Sequence, residues 1–259
     1  HSDTEVLLAA ITHWGLEKAV ERANGMFAFA LWDRRERQLH LVRDRIGIKP
    51  LYYGQTPGGF VFGSELKALH HFPPFDGEVD RDALELFVRH ACVPTPHSIF
   101  EGIRKLEPGT IVTVDSPGDR GTKTTFWSPW ERKAEALDRG WQRSAEDAVD
   151  ELADLLERAV DDRLVADVPV GAFLSGGIDS STVVALMQRV TSETVKTFSI
   201  GFDDGEFDEA PYARAVAEHL ETDHTELYVT GEDALDLVPQ LCELTGEPFG
   251  DSSLIPTYL

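Results

Sequence analysis

The sequence predicts a chain in two parts: an α+β segment of layered antiparallel sheet, then an α/β segment built on a parallel sheet. Three observations carry this. The first half breaks into short strands separated by turn residues, whereas from about residue 145 strands alternate with helices long enough to serve as crossovers. The charge changes too: residues 1–130 carry 17 acidic and 15 basic side chains, and residues 131–259 carry 29 and 9. A shift that abrupt marks a boundary near residue 130.

The elements follow in order. From Thr4 to Glu21, Val6, Leu7, Ala10, Ile11, Trp14 and Leu16 fall at near-helical spacing, and Gly25 breaks the pattern. The stretch MFAFALWDRRERQLHLVRD is an apolar run, a charged turn and an alternating run, which is a hairpin. PLYYG and GGFVFGS are two further strands, SELKALHHF a short helix with Ser64 as its cap, and Arg81 to Arg89 another helix. A proline-punctuated loop from Cys92 leads to the strand TIVTV, and SPGDRG is a turn. FWSPWERKAEALDRGWQ is expected as an irregular connection. Beyond it Val149, Leu152, Leu155, Leu156, Val160 and Leu164 form the stripe of a long helix. VPVGAFL is expected as a buried strand, Ser180–Val190 as a helix, TVKTFSIGF as a strand, Asp208–Leu220 as a helix, HTELYV as a strand and Glu232–Leu244 as a helix.

Bulk properties narrow the function. A formal charge of -22 argues against a nucleic-acid backbone or an anionic membrane as partner. No apolar run approaches the roughly 18 residues of a membrane span, and the start lacks the basic and cleavage regions of a signal peptide, so the cytoplasm is expected. Cys92 and Cys242 stand far apart without a CxxC or Cys/His cluster, and each is expected as a buried thiol. The chain starts at His1 inside a helical pattern and stops at IPTYL without a cap; both ends read as cut.

The chemistry concentrates in VGAFLSGGIDSSTVVALM, Val170 to Met187. An apolar strand stops at Ser175, passes two glycines and an aspartate, and restarts as a helix, an arrangement that gathers free backbone amides around one hollow. There is no Gly-Lys-Ser/Thr ending, so this is not a Walker A loop. Gly176 and Gly177 let the backbone approach phosphate oxygens, and Ser175, Ser180 and Ser181 add hydroxyls. Asp179 would repel a phosphate unless a cation lies between them, which makes Mg2+ a natural third member. Ligands in open parallel sheets bind at the carboxyl ends of strands, where Ser175 stands. The acidic stretch IGFDDGEFD, Ile200 to Asp208, leaves the next strand at the same edge if the two strands are neighbours. A Ser-Gly-Gly turn that merely starts a helix, with Asp179 favouring the helix dipole, is the plainer alternative.

FLSGGIDSSTVVALM resembles the pyrophosphatase loop (PP-loop) of enzymes that adenylate a carboxyl group with ATP, and TFSIGFDDGEFDEAPYARAVAEHLETDHTELYV is similar to the synthetase domain of glutamine-dependent asparagine synthetase, B type. HSDTEVLL, GMFAFALWD, RDRIGIKPLYY and GSELKAL resemble, in order and spacing, the later part of that family's glutaminase domain. The resemblance implies a glutaminase-type, Ntn-hydrolase-like segment over 1–128, a linker over 129–144, and the N-terminal part of a PP-loop synthetase domain over 145–259. It implies ATP and Mg2+, glutamine and aspartate as substrates, and a homodimer. Aspartate becomes an acyl adenylate, and ammonia released from glutamine travels through a tunnel to attack it. By match, Phe173, Leu174 and Ile200 lie where the family contacts adenine. Ser175, Gly176, Gly177, Asp179, Ser180 and Ser181 lie where it binds phosphates, Asp179 meeting the metal, and an acidic residue faces the nucleotide at Asp208. Asp3 matches a carboxylate that holds the glutamine amino group, where a lone Asp is otherwise a helix cap. Met26 matches a tunnel wall, where a Met is otherwise core packing. Arg43, Asp44 and Gly47 are expected to shape a turn.

Two departures bear on activity. The family's nucleophile is an N-terminal cysteine, and position 1 here is His1; the family's second nucleotide loop has no counterpart before Leu259. The sequence therefore reads as the middle of such an enzyme, with no catalytic nucleophile of its own. One alternative keeps the chemistry and changes the acceptor to a sugar acid or a β-lactam or peptide precursor. Another is a catalytically inactive nucleotide-binding scaffold.

Overall fold

The computed structural model describes residues 2–116, 118–140, 143–203, 208–251 and 253–258. Backbone contacts divide the chain into two units, His1–Gly140 with Gln240–Asp251, and Trp141–Pro239 with Ser252–Leu259.

The first unit opens with α1 (Asp3–Trp14) and α2 (Leu16–Arg22), so the expected helix breaks at Gly15, whose φ of +80° ends one helix before the next begins. The hairpin follows as β1 (Ala28–Asp33) and β2 (Gln38–Arg43), its turn held by Asp33, whose carboxylate accepts the amides of Arg35 at 2.7 Å and Glu36 at 3.1 Å. Next come β3 (Tyr52–Thr56), β4 (Gly59–Gly63), α3 (Leu66–Leu69), α4 (Arg81–His90), β5 (Ile103–Lys105), β6 (Thr110–Val114) and β7 (Thr122–Thr125). They form two antiparallel sheets, ordered β1-β2-β6-β7 and β4-β3-β5. In the first sheet the register pairs Leu41 with Val112 and Val42 with Ile111. Leu41 and Val112 pack with Leu51 and Leu106 on one face, Val42 and Ile111 with Val20 and Phe126 on the other. Both faces of the sheet are thus covered, and a one-residue slip would exchange the two cores.

The structure corrects three expectations here. Ser64 does not cap α3, whose N-cap position is Glu65 and carries no side-chain hydrogen bond. Cys92 is half-buried rather than buried, and free; the Cys242 thiol lies outside the described side chains. The segment expected to be irregular contains α5 (Pro129–Arg139), with proline in its first turn and Gly140 at its C-cap. Those are ordinary helix boundaries.

The second unit starts with α6 (Ala145–Asp161), whose Ser144 and Asp147 form a capping box. Then come β8 (Gly171–Phe173), α7 (Ile178–Val190), β9 (Lys196–Phe202), α8 (Ala210–Leu220), β10 (Asp223–Val229), α9 (Gly231–Leu237) and, after a first-unit helix α10 (Leu241–Thr245), α11 (Leu254–Tyr258). The single helix expected over Glu232–Leu244 is broken by a 3-10 turn at Val238–Gln240, where Pro239 lacks the amide a continuous helix requires. The sheet is parallel throughout, in the order β10-β9-β8. Among the described residues β8 pairs with β9 alone and sits at an edge, so the strand expected to be buried is short and leaves Val168, Val170 and Phe173 exposed. Leu174, Val184, Met187, Val195, Ala213 and Ala217 make the core, with Val160 and Leu164 packed against it. The rest of the α6 stripe, Val149, Leu152, Leu155 and Leu156, is exposed. Among the described residues no helix is long and apolar enough to cross a membrane.

Asp44 is the buried polar anchor of the first unit. Its carboxylate accepts the amides of Ile48 and Lys49, both at 3.0 Å, and of Phe27 at 3.3 Å, and its own amide donates to the Phe27 carbonyl at 2.8 Å. Arg43 beside it donates to the carbonyls of Lys49, Gly47 and Leu106. Three amides bonded to one buried carboxylate leave three unmet donors if it is removed. Asp44→Ala should lower unfolding free energy by about 3 kcal/mol in a urea titration, and Asp44→Asn by less.

Candidate functional site

The loop between β8 and α7 is built from backbone first. Leu174 is held to the sheet by its amide, which donates to the Phe198 carbonyl at 2.8 Å, and its side chain is buried in the core. The chain then turns through Gly176, whose φ of +79° is the left-handed region. A Cβ at Gly176 would lie 2.6 Å from Tyr212 Cβ and 2.8 Å from the Ala213 amide nitrogen, so the loop can rest on the first turns of α8 only without a side chain. Gly177 is the N-cap of α7, and among the described residues no side chain caps that helix. The amides of Ile178, Asp179 and Ser180 in its first turn therefore remain available to an anion, at the positive end of the helix dipole.

Hydroxyls brace the loop from within. Ser175 Oγ lies 2.9 Å from Ser180 Oγ, the Ser175 amide donates to Ser180 Oγ at 3.2 Å, and the Gly177 amide donates to Ser175 Oγ at 3.3 Å. Asp179 is exposed. Ser181 stands apart from the other two serines: its Oγ is buried and meets no hydrogen-bond partner among the described residues. The helical step that turns Ser180 toward the loop turns Ser181 away from it.

β8 and β9 are neighbours, with Phe173 level with Phe198, which puts Ile200 level with Ser175. Phe173 is 67% exposed and Ile200 half-buried. Asp208 joins the end of β9 to the start of α8, its carboxylate accepting the amides of Ala210 at 3.1 Å and Phe202 at 3.4 Å. Of the other acidic residues near this edge, Asp203 is exposed, and Asp204 and Glu206 lie outside the described residues. Among the described residues no group of three His, Cys, Asp or Glu could hold a metal ion. The exposed Asp179 would offer one carboxylate to a magnesium ion completed by phosphate oxygens and water.

The floor of the loop is set by the packing of α8. Arg214 forks onto Glu226 of β10, its Nε donating to Oε1 at 2.8 Å and its Nη2 to Oε2, and reaches the Tyr228 hydroxyl at 3.4 Å. Beneath the helix, Thr197 bonds Thr222 and the Nδ1 of His224, each at 2.8 Å, and Ser199 meets the Nε2 of His224 at 3.2 Å. Sequence reasoning missed this network, whose members come from two strands and the end of a helix; the Thr and Ser at alternate positions of β9 were its one visible trace.

A second site lies in the first unit. Asp3 and Met26 line one cavity of about 1020 Å³, together with Trp14, Arg22, Phe27 and Lys49. Asp3 does not act as a cap: Ser2 is the N-cap of α1, accepting from the Glu5 amide at 3.3 Å, and Asp3 is exposed. Met26 is 44% exposed, so core packing does not account for it. Arg22 stacks 4.3 Å from the centre of the Trp14 ring at the cavity wall.

Two outcomes follow from this geometry. Gly176→Ala should raise the amide hydrogen exchange of Ser175–Ser180 and destabilise the second unit by about 2 kcal/mol, because the new Cβ meets backbone. The Arg214 hydrogen bond holds the Glu226 carboxyl below its ordinary value of 4.5. Its contribution is present above that pH and lost as pH falls through the depressed value. The acid limb of the unit's melting curve should flatten in Glu226→Gln.

Comparison with known proteins adds the following. Residues 1–127 match the model of the glutamine amidotransferase domain, and residues 151–259 that of asparagine synthase. The chain is 36% identical over 260 residues to a putative glutamine-hydrolysing asparagine synthetase of Methanocaldococcus jannaschii, covering 99% of this chain and 49% of that one. It is 35% identical over 257 residues to asparagine synthetase 1 of Bacillus subtilis, again named glutamine-hydrolysing, covering 99% and 39%. A Gibberella zeae protein named amidase chry2 is 32% identical over 237 residues, covering 86% and 34%. The chain thus spans half or less of the length of these relatives.

Proposed function

Since the chain belongs to the family of glutamine-hydrolysing asparagine synthetases, we propose that it forms part of an ATP-dependent carbon-nitrogen ligase that takes its amide nitrogen from glutamine. The parent enzyme activates the side-chain carboxylate of aspartate with ATP and passes ammonia to it, giving asparagine, AMP, pyrophosphate and glutamate. Residues 1–128 contribute the later part of the glutaminase domain, 129–144 the linker, and 145–259 the start of the synthetase domain. The family further supplies the expectation of a cytoplasmic homodimer.

The observation that supports this best is the uncapped first turn of α7, set against a left-handed glycine at the end of a parallel strand. In this reading the amides of Ile178, Asp179 and Ser180 hold the departing pyrophosphate, and Gly176 and Gly177 allow its close approach. Ser175 and Ser180, bonded to one another, hold the loop in shape and turn a hydroxyl proton to a phosphate oxygen. Mg2+, when bound, neutralises phosphate charge beside Asp179. Exposed Phe173 and half-buried Ile200 border the adenine; Leu174, with its side chain in the core, contributes backbone only. Ser181 supports the helix from its buried side, and Asp208 fixes the strand end that faces the nucleotide. In the first unit Asp3 holds the glutamine amino group and Met26 walls the ammonia path. No nucleophile is assigned among these residues.

The likeness to a protein named amidase chry2 favours testing carboxylate acceptors besides aspartate. Incubating the complete gene product with aspartate, MgATP and glutamine or ammonia should give asparagine, AMP and pyrophosphate in equal amounts. AMP release only with another carboxylate moves the acceptor; no nucleotide consumption with any acceptor removes the proposal. Asp179→Ala should lower MgATP turnover by about 100-fold, while stability changes by only about 0.5 kcal/mol, since the residue is an exposed first-turn carboxylate. A catalytically inactive scaffold would show no turnover to lose.

A further inference from the structure

A cavity of about 370 Å³ lies within the first unit, lined by residues of β3, β4 and β5 and by loops at residues 96–98 and 119–120. It shares no lining residue with the cavity that holds Asp3 and Met26. The function proposed above makes no use of it.

Backbone frames the cavity. Arg104 of β5 is paired on one side with Tyr53 of β3 and on the other with His97, so these three side chains share one face of the sheet. Gly54 runs so close to the Gly102 carbonyl that a Cβ would lie 2.0 Å from its oxygen, and the Gln55 amide donates to that oxygen at 3.3 Å. The Asp80 amide donates to the Ile99 carbonyl at 2.8 Å, which ties the start of α4 to the same rim. Tyr53 and Phe60, both half-buried with ring centres 6.1 Å apart, make an aromatic wall.

Charge sets this cavity apart. Arg104 and Arg120 line it together with Asp80 and Asp119, yet among the described residues neither arginine side chain forms an ion pair or hydrogen bond. In a chain with 46 acidic against 24 basic side chains, arginines left without a carboxylate run against the charge balance. The carboxylates are partly committed to backbone. Asp80 Oδ1 accepts the amides of Asp82 at 2.9 Å and Ala83 at 3.1 Å, and Asp119 accepts those of Gly121 at 3.1 Å and Asp115 at 3.4 Å. Asp80 Oδ2 takes neither of the Asp80-bound amides. Opposite charges thus border one hollow without closing on each other.

A ligand of a single sign would be attracted by one pair and repelled by the other. A small zwitterion satisfies both. The carboxylate of an α-amino acid offers two oxygens to the planar fork of an arginine, its ammonium donates to a carboxylate, and an apolar or flat side chain can rest on the aromatic wall.

We propose that this cavity binds a free α-amino acid, with its carboxylate held by Arg104 and Arg120 and its ammonium by Asp80. The proposal does not depend on the reaction assigned to the parent enzyme. Its test is calorimetric titration of the complete gene product with L-phenylalanine and L-leucine, and with phenethylamine and 3-phenylpropanoate, which lack the carboxylate and the ammonium respectively. The same titrations are run on Arg104→Gln, on Arg120→Gln, on Asp80→Asn, which keeps an oxygen for the helix cap, and on Asp3→Asn.

At least one of the two amino acids should bind, with Kd raised about tenfold or more in Arg104→Gln, Arg120→Gln and Asp80→Asn and unchanged in Asp3→Asn. The two analogues should bind at least about tenfold more weakly than phenylalanine. Thermal midpoints of the cavity variants should stay within about 2 °C of wild type, since no folded-state partner of either arginine is removed. No binding of either amino acid at about 10 mM overturns the proposal. So does equal affinity for an analogue, an unchanged Kd in the cavity variants, or binding lost in Asp3→Asn alone, which would move the amino acid to the other cavity.

Discussion

The site in the second unit depends on one close approach, that of the Gly176 backbone to Tyr212 and Ala213 on α8. The loop must turn left-handed there, and a Cβ would strike backbone atoms that cannot yield. The same requirement propagates outward. α8 can lie near the sheet because Ala210, Ala213 and Ala217 face inward and are buried. On the strand below, Gly201 admits the Tyr228 ring, which a Cβ would meet at 2.5 Å. Polar pairing then holds what small residues permit: Arg214 clamps the helix to β10, and His224 is gripped by Thr197 and Ser199. With α8 so placed, the first turn of α7 presents its amides rather than burying them.

An analogous chain of constraint runs through the first unit. The two-sided sheet fixes where β2 ends, and Asp44 follows immediately. Its carboxylate ties Phe27 to Lys49, and both residues line the cavity that also holds Asp3 and Met26. The exposed edge of Met26 thus follows from an anchor one residue along the chain and from a core that leaves no freedom in register.

Features set by neighbours in sequence were legible in the sequence, and those set by distant partners were not. The glycine and serine spacing in SGGIDSS identified the loop, and the RDRIG turn appeared where expected with Asp44 at its centre. The α5 helix carried a local signal, Ser-Pro at its start and Gly140 at its end, that its weakly apolar interior obscured. No local signal marked β7, whose four residues are all exposed and owe their extension to pairing with β6. The edge position of β8 depends on which strands pair, and the fate of Glu247 on a hydroxyl 195 residues earlier in the chain. The loop's turn could be read ahead of its surroundings because backbone turns are encoded within a few residues, while burial is not.

Carboxylates in the two units show how burial separates structural from chemical roles. Asp44 is enclosed, and backbone amides fully occupy it, so its charge is spent on holding a turn. Asp208 is half-buried and divides itself between strand and helix amides, again a joint. Asp179 stands in the open beside amides of the same kind and, among the described residues, takes none of them. An exposed carboxylate at an uncapped helix start contributes little to folding. Its proximity to a surface suited to anions is unfavourable for phosphate binding until a cation neutralises it. Asp179 is thus the one of the three carboxylates that folding leaves open, at an uncapped helix start.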